Sequence, residues 1–250
     1  MNHHAADFSK TDADATGTRV ADAIARALHA AGVRFAFGMP GGEVVTLIDG
    51  LRAAGIQFIL ARNETAAAMM AAGASEIGGA PGVLVTTLGP GLANAVNGIA
   101  DAVQERCPLI VLSGVVERDV RARYTHQILD HAALLRPLVK ASFEVEAAGA
   151  ARVVERAVAL ATAAPFGPVH LDVSPAVAAS PTLEEGRSQA LRFADATAID
   201  PASPAIAALR TRLAQARRPV IVAGLEAARG GASGALRALL EGRGVPVLTT

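Results

Sequence analysis

Three turn-like segments hold the residues whose types and spacing could do chemistry. The first is Gly38-Met39-Pro40-Gly41-Gly42, followed by Glu43. Glycines let backbone approach a ligand closely, and Pro40 stiffens the turn. The spacing is neither the G-x-G-x-x-G of dinucleotide sites nor a Walker A loop, since no Lys-Ser/Thr pair follows. The second is Arg62-Asn63-Glu64, which runs into the small and flexible side chains Ala66 to Ala72, with Met69 and Met70 among them. Asn63 has the residue type of a helix N-cap, and a carboxylate in the first turn suits the helix dipole. The same carboxyl, walled by Ala and Met, could instead handle a proton, because full burial disfavours a charged carboxyl by more than a helix dipole favours it. The third segment is Leu88-Gly89-Pro90-Gly91-Leu92-Ala93-Asn94. Gly-Pro-Gly at a helix entrance leaves N–H groups free, and Asn94 offers a polar edge. Taken singly, each of the three also reads as a plain structural turn.

Other polar residues read more simply. His126 and His131 are expected on different faces of a helix, as surface or satisfied polar groups. Arg118, Arg121 and Arg123, mixed with Glu117 and Asp119, form a solvated charged stretch at the border of a site mouth. Cys107 precedes Pro108 and suits a small buried position at a strand start. One cysteine excludes an internal disulfide framework or a cysteine-based zinc cluster, which fits a reducing, cytoplasmic setting.

The turns need elements to hold them. Apolar spacing predicts helices over 18–31, 43–53, 64–75, 92–103 and 150–163. Short apolar runs predict strands over 33–37, 57–61, 83–87, 109–112 and 169–173. Strands buried on both faces and separated by helices imply an α/β fold with a doubly wound parallel sheet and helices on both faces. In such sheets ligands lie beyond the carboxyl ends of strands, where all three turns fall. Residues 1–16 read as a flexible tail, 17–178 as the first domain and 179–204 as a linker. Residues 205–250 read as one βαβ unit, the incomplete start of a Rossmann-like second domain. A single such unit buries too little surface to stand alone, so these 250 residues are expected to form the front of a longer polypeptide.

Composition narrows the function classes. Lys+Arg and Asp+Glu each number 23, so no basic excess draws the chain to nucleic acid or anionic lipid. Hydrophobic residues reach 52%, which excludes general disorder, while aromatics are 3% with no Trp, which argues against stacking platforms. The uncharged stretch 77–100 is long enough to span a bilayer but is broken by Gly78, Gly79, Pro81, Gly82, Gly89, Pro90 and Gly91, and no membrane partner is expected.

In their joint order the segments resemble the N-terminal pyrimidine-binding region of thiamine-diphosphate enzymes of the acetolactate synthase type. Carrying the resemblance are Phe37-Gly38-Met39-Pro40-Gly41-Gly42, Arg62-Asn63-Glu64, Thr86 to Asn94 with Asn97-Gly98-Ile99-Ala100-Asp101-Ala102, and Gly167-Pro168-Val169-His170-Leu171-Asp172-Val173. It covers roughly 17–177, and the unit after Pro204 is similar to the start of the family's central domain. By this resemblance Glu64 is the catalytic glutamate that hydrogen-bonds N1′ of the cofactor's aminopyrimidine and promotes proton removal from the thiazolium ring. Gly38, Pro40, Glu64, Pro90 and Asn94 are then cofactor-binding, and Gln127 borders the substrate pocket. The implied activity is decarboxylation or carboligation of a small-molecule 2-oxo acid, as a lyase or transferase, in a homodimer or a dimer of dimers. Thiamine diphosphate is the implied cofactor, with Mg²⁺ held through a later Gly-Asp-Gly…Asn motif that these residues lack, so no metal ligand is assigned here and this segment alone is expected to be inactive. The resemblance leaves FAD open.

Departures from the family pattern are Asn63 in place of a histidine, His126-Gln127-Ile128 in place of Phe-Gln-Glu, and Thr87-Leu88-Gly89 in place of Thr-Ser-Gly. They leave open another acceptor or another 2-oxo acid. The alternatives are a separately encoded pyrimidine-binding subunit of a split 2-oxo acid decarboxylase, or a non-catalytic nucleotide-binding or oligomerisation module.

Overall fold

The computed structural model describes residues 18–123, 125–182, 200–225, 227 and 232–250. The polar tail 1–16 and most of the stretch 179–204 fall outside them. The chain divides into two compact units, Met1–Ala196 and Thr197–Thr250.

In the first unit six strands form one parallel sheet: β1 (Phe35–Gly38), β2 (Gln57–Leu60), β3 (Gly82–Thr86), β4 (Leu109–Gly114), β5 (Ser142–Glu144) and β6 (Val169–Val173), in the order β2-β1-β3-β4-β6-β5. The helices are α1 (Val20–Ala30), α2 (Val45–Ala53), α3 (Glu64–Gly78), α4 (Pro90–Gln104), α5 (His131–Leu135), α6 (Ala150–Thr162) and α7 (Pro175–Ala179). Both faces of the sheet are covered. Val83, Val85, Ile110 and Leu112 pack with α1, α2 and α6, while Leu84, Leu109 and Val111 pack with α3 and α4. That two-sided burial is why the central strands read as unbroken apolar runs.

The expected α/β architecture is present, with local differences. Residues 42–44 form a 3-10 turn before α2. The short elements β5, α5 and α7 have no counterpart among the expected ones. Helix α7 is capped by the Ser174 side chain and has Pro175 in its first turn, and Pro181 bridges to Arg19, so ordered structure of the first unit continues past 178. Lys140 Nζ donates to the carbonyls of Leu160, Ala163 (2.7 Å) and Pro165 (2.9 Å), closing the carboxyl end of α6.

The second unit holds α8 (Pro204–Gln215), β7 (Ile221–Ala223), α9 (Ser233–Leu240) and β8 (Val247–Thr249), with β7 and β8 parallel. Neither α8 nor α9 buries a residue, and Val222 and Leu248 of the strands are exposed. Among the described residues no helix is long and apolar enough to cross a membrane.

Candidate active site

The strand order reverses direction between β1 and β3, since β2 lies outside β1 while β4 continues beyond β3. The crevice at such a switch point is where open α/β sheets bind ligands. The turn after β1 and the turn after β3 meet there over Thr87. A Cβ added to Gly41 would lie 2.2 Å from Thr87 Cγ2, and one on Gly91 would lie 2.3 Å from Thr87 Oγ1. Only glycine permits either approach. Gly38 is equally confined, with Val85 O 2.1 Å from where its Cβ would be. Its carbonyl accepts from Ala61 N–H at 2.9 Å, which leads the chain from β2 into the third turn.

Asn63 caps α3, its Oδ1 accepting from Ala66 N–H at 2.7 Å, so Glu64 is the first helical residue. Glu64 is only 8% exposed, and its carboxyl turns toward the entrance of α4. Asn94 Nδ2 donates to Glu64 Oε2 at 2.5 Å. Glu64 Oε1 faces Gly91, 3.4 Å from where a Cβ would sit. Thr65 Oγ1 donates to Asn94 O at 2.5 Å and ties the two helix starts together. A buried carboxyl with one oxygen held by an amide can take up or release a proton at the other without losing its orientation.

Glu64 and Asn94 are thus in direct contact. Pro90 is exposed on the same turn as Gly91, and Pro40 is exposed on the facing turn. One part of the expected surroundings differs: Ala67, Ala68 and Ala71 are core residues, but Met69 and Met70 point outward. The niche around Glu64 is therefore built by the first turn of α4 rather than by methionines of its own helix.

Gln127 flanks the site through its backbone. A Cβ on Gly89 would lie 2.1 Å from Gln127 O, and both residues have positive φ, +45° and 61°. With Glu43, Leu88 and Val116, Gln127 also lines a cavity of about 190 Å³ at the carboxyl ends of the strands. His126 lines the same cavity and is exposed, outside any helix. Of the arginines, Arg118 and Arg121 pair with Glu144 at 2.9 and 3.3 Å.

Sequence reasoning assigned no role to His131 and Asp172. His131 opens α5, is 4% exposed, and is satisfied on both ring nitrogens: Nε2 accepts from Gly89 N–H at 3.0 Å, and Nδ1 lies 2.6 Å from Asp172 Oδ1. His170 Nε2 lies 3.3 Å from the same carboxylate oxygen but makes no aligned hydrogen bond. Burial pushes the Asp172 carboxyl up, yet the His131 hydrogen bond and the His170 contact together outweigh it and hold Asp172 below the usual carboxylate range. Residues 41 apart leave no spacing signal, so only the fold reveals the pair.

Fold and site together define a parallel α/β domain with a buried carboxyl at the switch point of its sheet. Residues 18–134 match the family described as "Thiamine pyrophosphate enzyme, N-terminal TPP binding domain". Over most of its length the chain is similar to thiamine-diphosphate-dependent enzymes of the acetolactate synthase type. The chain is similar to a probable acetolactate synthase of Mycobacterium bovis, at 35% identity over 90% of this chain and 41% of the relative. It is similar to the acetolactate synthase of Bacillus subtilis at 33% identity over 93% of this chain and 40% of the relative. A 2-hydroxyacyl-CoA lyase of Oryza sativa is 33% identical over 90% of this chain and 41% of its own length. In fold, the chain is similar to the solved thiamine diphosphate-dependent 4-hydroxybenzoylformate decarboxylase of Rhodococcus jostii, with a TM-score of 0.79 and 24% identity over 93% of this chain and 44% of that one. The chain spans about two fifths of the length of the curated relatives it matches.

Proposed function

We propose that the first unit is the cofactor-activating half of a thiamine-diphosphate-dependent lyase or carboligase acting on 2-oxo acids, with Glu64 as its acid–base group. The observation that carries this reading is the Glu64 carboxyl, buried at the switch point and held by Asn94 Nδ2 at 2.5 Å. The residues fit a flat heteroaromatic ring: Gly91 leaves the Glu64 Oε1 side free of a side chain, and Pro40 and Pro90 stiffen the two facing turns. Thiamine diphosphate, when bound, supplies an electron-accepting thiazolium ring for carbon–carbon bond cleavage and formation.

This chain's residues have narrower tasks. Glu64 Oε1 would give or take the proton exchanged with a ring nitrogen of a bound aminopyrimidine. Asn94 holds Oε2, so that exchange does not require the carboxyl to turn. Gly38, Pro40 and Pro90 shape the walls, and Gln127 borders the substrate side through the adjoining cavity.

Mg²⁺ and the diphosphate are assigned to groups outside these residues, and the proposal needs no flavin. A second copy of the chain is the proposed partner, because the outward stripe Ala66, Met69, Met70, Gly73 and Ile77 runs along α3 from the Glu64 end. The cytoplasm is the proposed location, on the single buried Cys107 and the lack of a basic surface excess.

The decisive experiment is Glu64→Gln in the complete enzyme loaded with thiamine diphosphate and Mg²⁺. General acid–base help is worth about 10²–10⁴ in rate, so turnover and exchange of the cofactor's C2 proton should fall by that order while calorimetry still reports binding. Wild-type turnover by E64Q overturns the assignment.

A further inference from the structure

The Gly89-Pro90-Gly91 turn faces Glu64 on one side, and on the other it is held from behind. Gly89 N–H donates to His131 Nε2 at 3.0 Å. Because the backbone N–H can only donate, Nε2 must carry the lone pair and the ring proton must sit on Nδ1. That proton points at Asp172 Oδ1, 2.6 Å away at the carboxyl-terminal part of β6. On a third side, Gln127 O blocks any shift of Gly89 in its direction. Sheet, α5 and turn are thereby joined in one line, from Asp172 through His131 to Gly89.

We propose that His131, oriented by Asp172, is a positioning residue for cofactor activation: it locks the Gly89 amide and so keeps Gly91 and Asn94 in register with the Glu64 carboxyl. The proposal rests on the role given to Glu64 under Proposed function. The demand it makes is narrow. The group at 131 must present an acceptor to Gly89 N–H and a donor to Asp172 at the same time. Glutamine can do both, through Oε1 and Nε2. Alanine can do neither, and it leaves a buried N–H without a partner. A misplacement of about 1 Å at a reacting group can cost on the order of 10²-fold in rate, so a loosened turn should register strongly.

The test compares His131→Ala and His131→Gln in the complete enzyme, with and without thiamine diphosphate and Mg²⁺. In the unloaded protein, hydrogen exchange at the Gly89 amide should be protected in wild type and in H131Q, and at least about 10-fold faster in H131A. In the loaded enzyme, H131A should raise the half-saturating thiamine diphosphate concentration about 10-fold or more and lower kcat, while H131Q stays within about 3-fold of wild type. Should H131A fail to fold, H131Q against His131→Asn makes the same comparison, because asparagine is too short to bridge both partners. Unchanged Gly89 protection in H131A, or H131Q as impaired as H131A, overturns the proposal. The two readings fail separately. Normal turnover by E64Q removes the role of Glu64 whatever Gly89 does, whereas an unlocked Gly89 with no loss of cofactor affinity removes the role of His131 while E64Q stays impaired.

Discussion

At the scale of the residue, the site turns on how a single carboxyl is held. Asn94 supplies the only hydrogen bond seen to Glu64 among the described side chains, and it is short, 2.5 Å. Hydrogen bonds to charged groups are worth about 1.5–3 kcal/mol, so Asn94→Ala should lower turnover by roughly 10–100-fold with Glu64 intact. Steady-state kinetics with stability checked in parallel measures it, and wild-type turnover would remove Asn94 from the machinery. Asp172 gives a prediction in pH. Its carboxyl is held below the usual range by its histidine neighbours despite burial. The folded state therefore binds that proton less readily than the unfolded chain, and the ionised carboxylate stabilises the fold fully above the unfolded value, about pH 3.9. That contribution falls away as pH drops from there through the lower folded value. Urea unfolding at pH 7 and near pH 3 should show a larger acid loss for wild type than for Asp172→Asn, and equal losses would contradict the role given to its neighbours.

At the scale of the element, two helix starts must approach closely enough for Asn94 to reach Glu64. Gly98, two turns into α4, makes that approach feasible: its Cβ would lie 2.6 Å from Ala68 Cβ and 2.7 Å from Thr65 O. In an exposed helix Gly→Ala gains about 1 kcal/mol in propensity, whereas overpacking a tight contact costs about 1–3 kcal/mol. One obstructing atom is backbone of a helix seated in the core, so the clash should win. Gly98→Ala is expected to lower the denaturant midpoint and weaken cofactor activation together, and a more stable variant with normal activity would show that the helices can part freely. These elements differ in how plainly they could be read. Asn63 as cap, the glycine turns and the strands β1, β3, β4 and β6 follow from local patterns, because burial and capping leave marks within a few residues. Strand β2 is instead an edge strand with no buried residue, not the two-sided one its apolar run suggests. Strand β5 is three half-exposed residues at the sheet edge, and α5 is five residues long, too short for any period to show. Glu64 and Asn94 were each legible as turn residues at helix starts, but their contact depends on the α3–α4 packing. His131 looked like an ordinary polar residue because its partners, Gly89 and Asp172, lie 42 and 41 residues away.

At the scale of the whole molecule, the proposed half-site calls for a partner surface over the outward face of α3. The outward stripe of α3 is mostly apolar, with Glu76 the charged residue beside it: Met69 is 44% exposed and Ile77 92%. Single exposed apolar side chains are ordinary, but a stripe at helical spacing that begins beside the Glu64 carboxyl is the ground for the proposed partner face. Methionine also suits a contact that must adapt to a partner, since its unbranched thioether repacks readily. A second copy packed on this face would exclude water from the Glu64 niche and let another part of the protein reach the cofactor from the far side. The double substitution Met69→Glu with Met70→Glu places two charges in that contact and leaves the core alone, because both side chains already point outward. It should shift the complete enzyme toward monomer in analytical ultracentrifugation and abolish thiamine diphosphate binding by calorimetry, with the thermal midpoint of the isolated fold little changed. An unaltered oligomeric state with normal cofactor affinity would mean that the flank of Glu64 is closed by some other surface, and the partner assignment would have to be abandoned while the chemistry of the carboxyl stood.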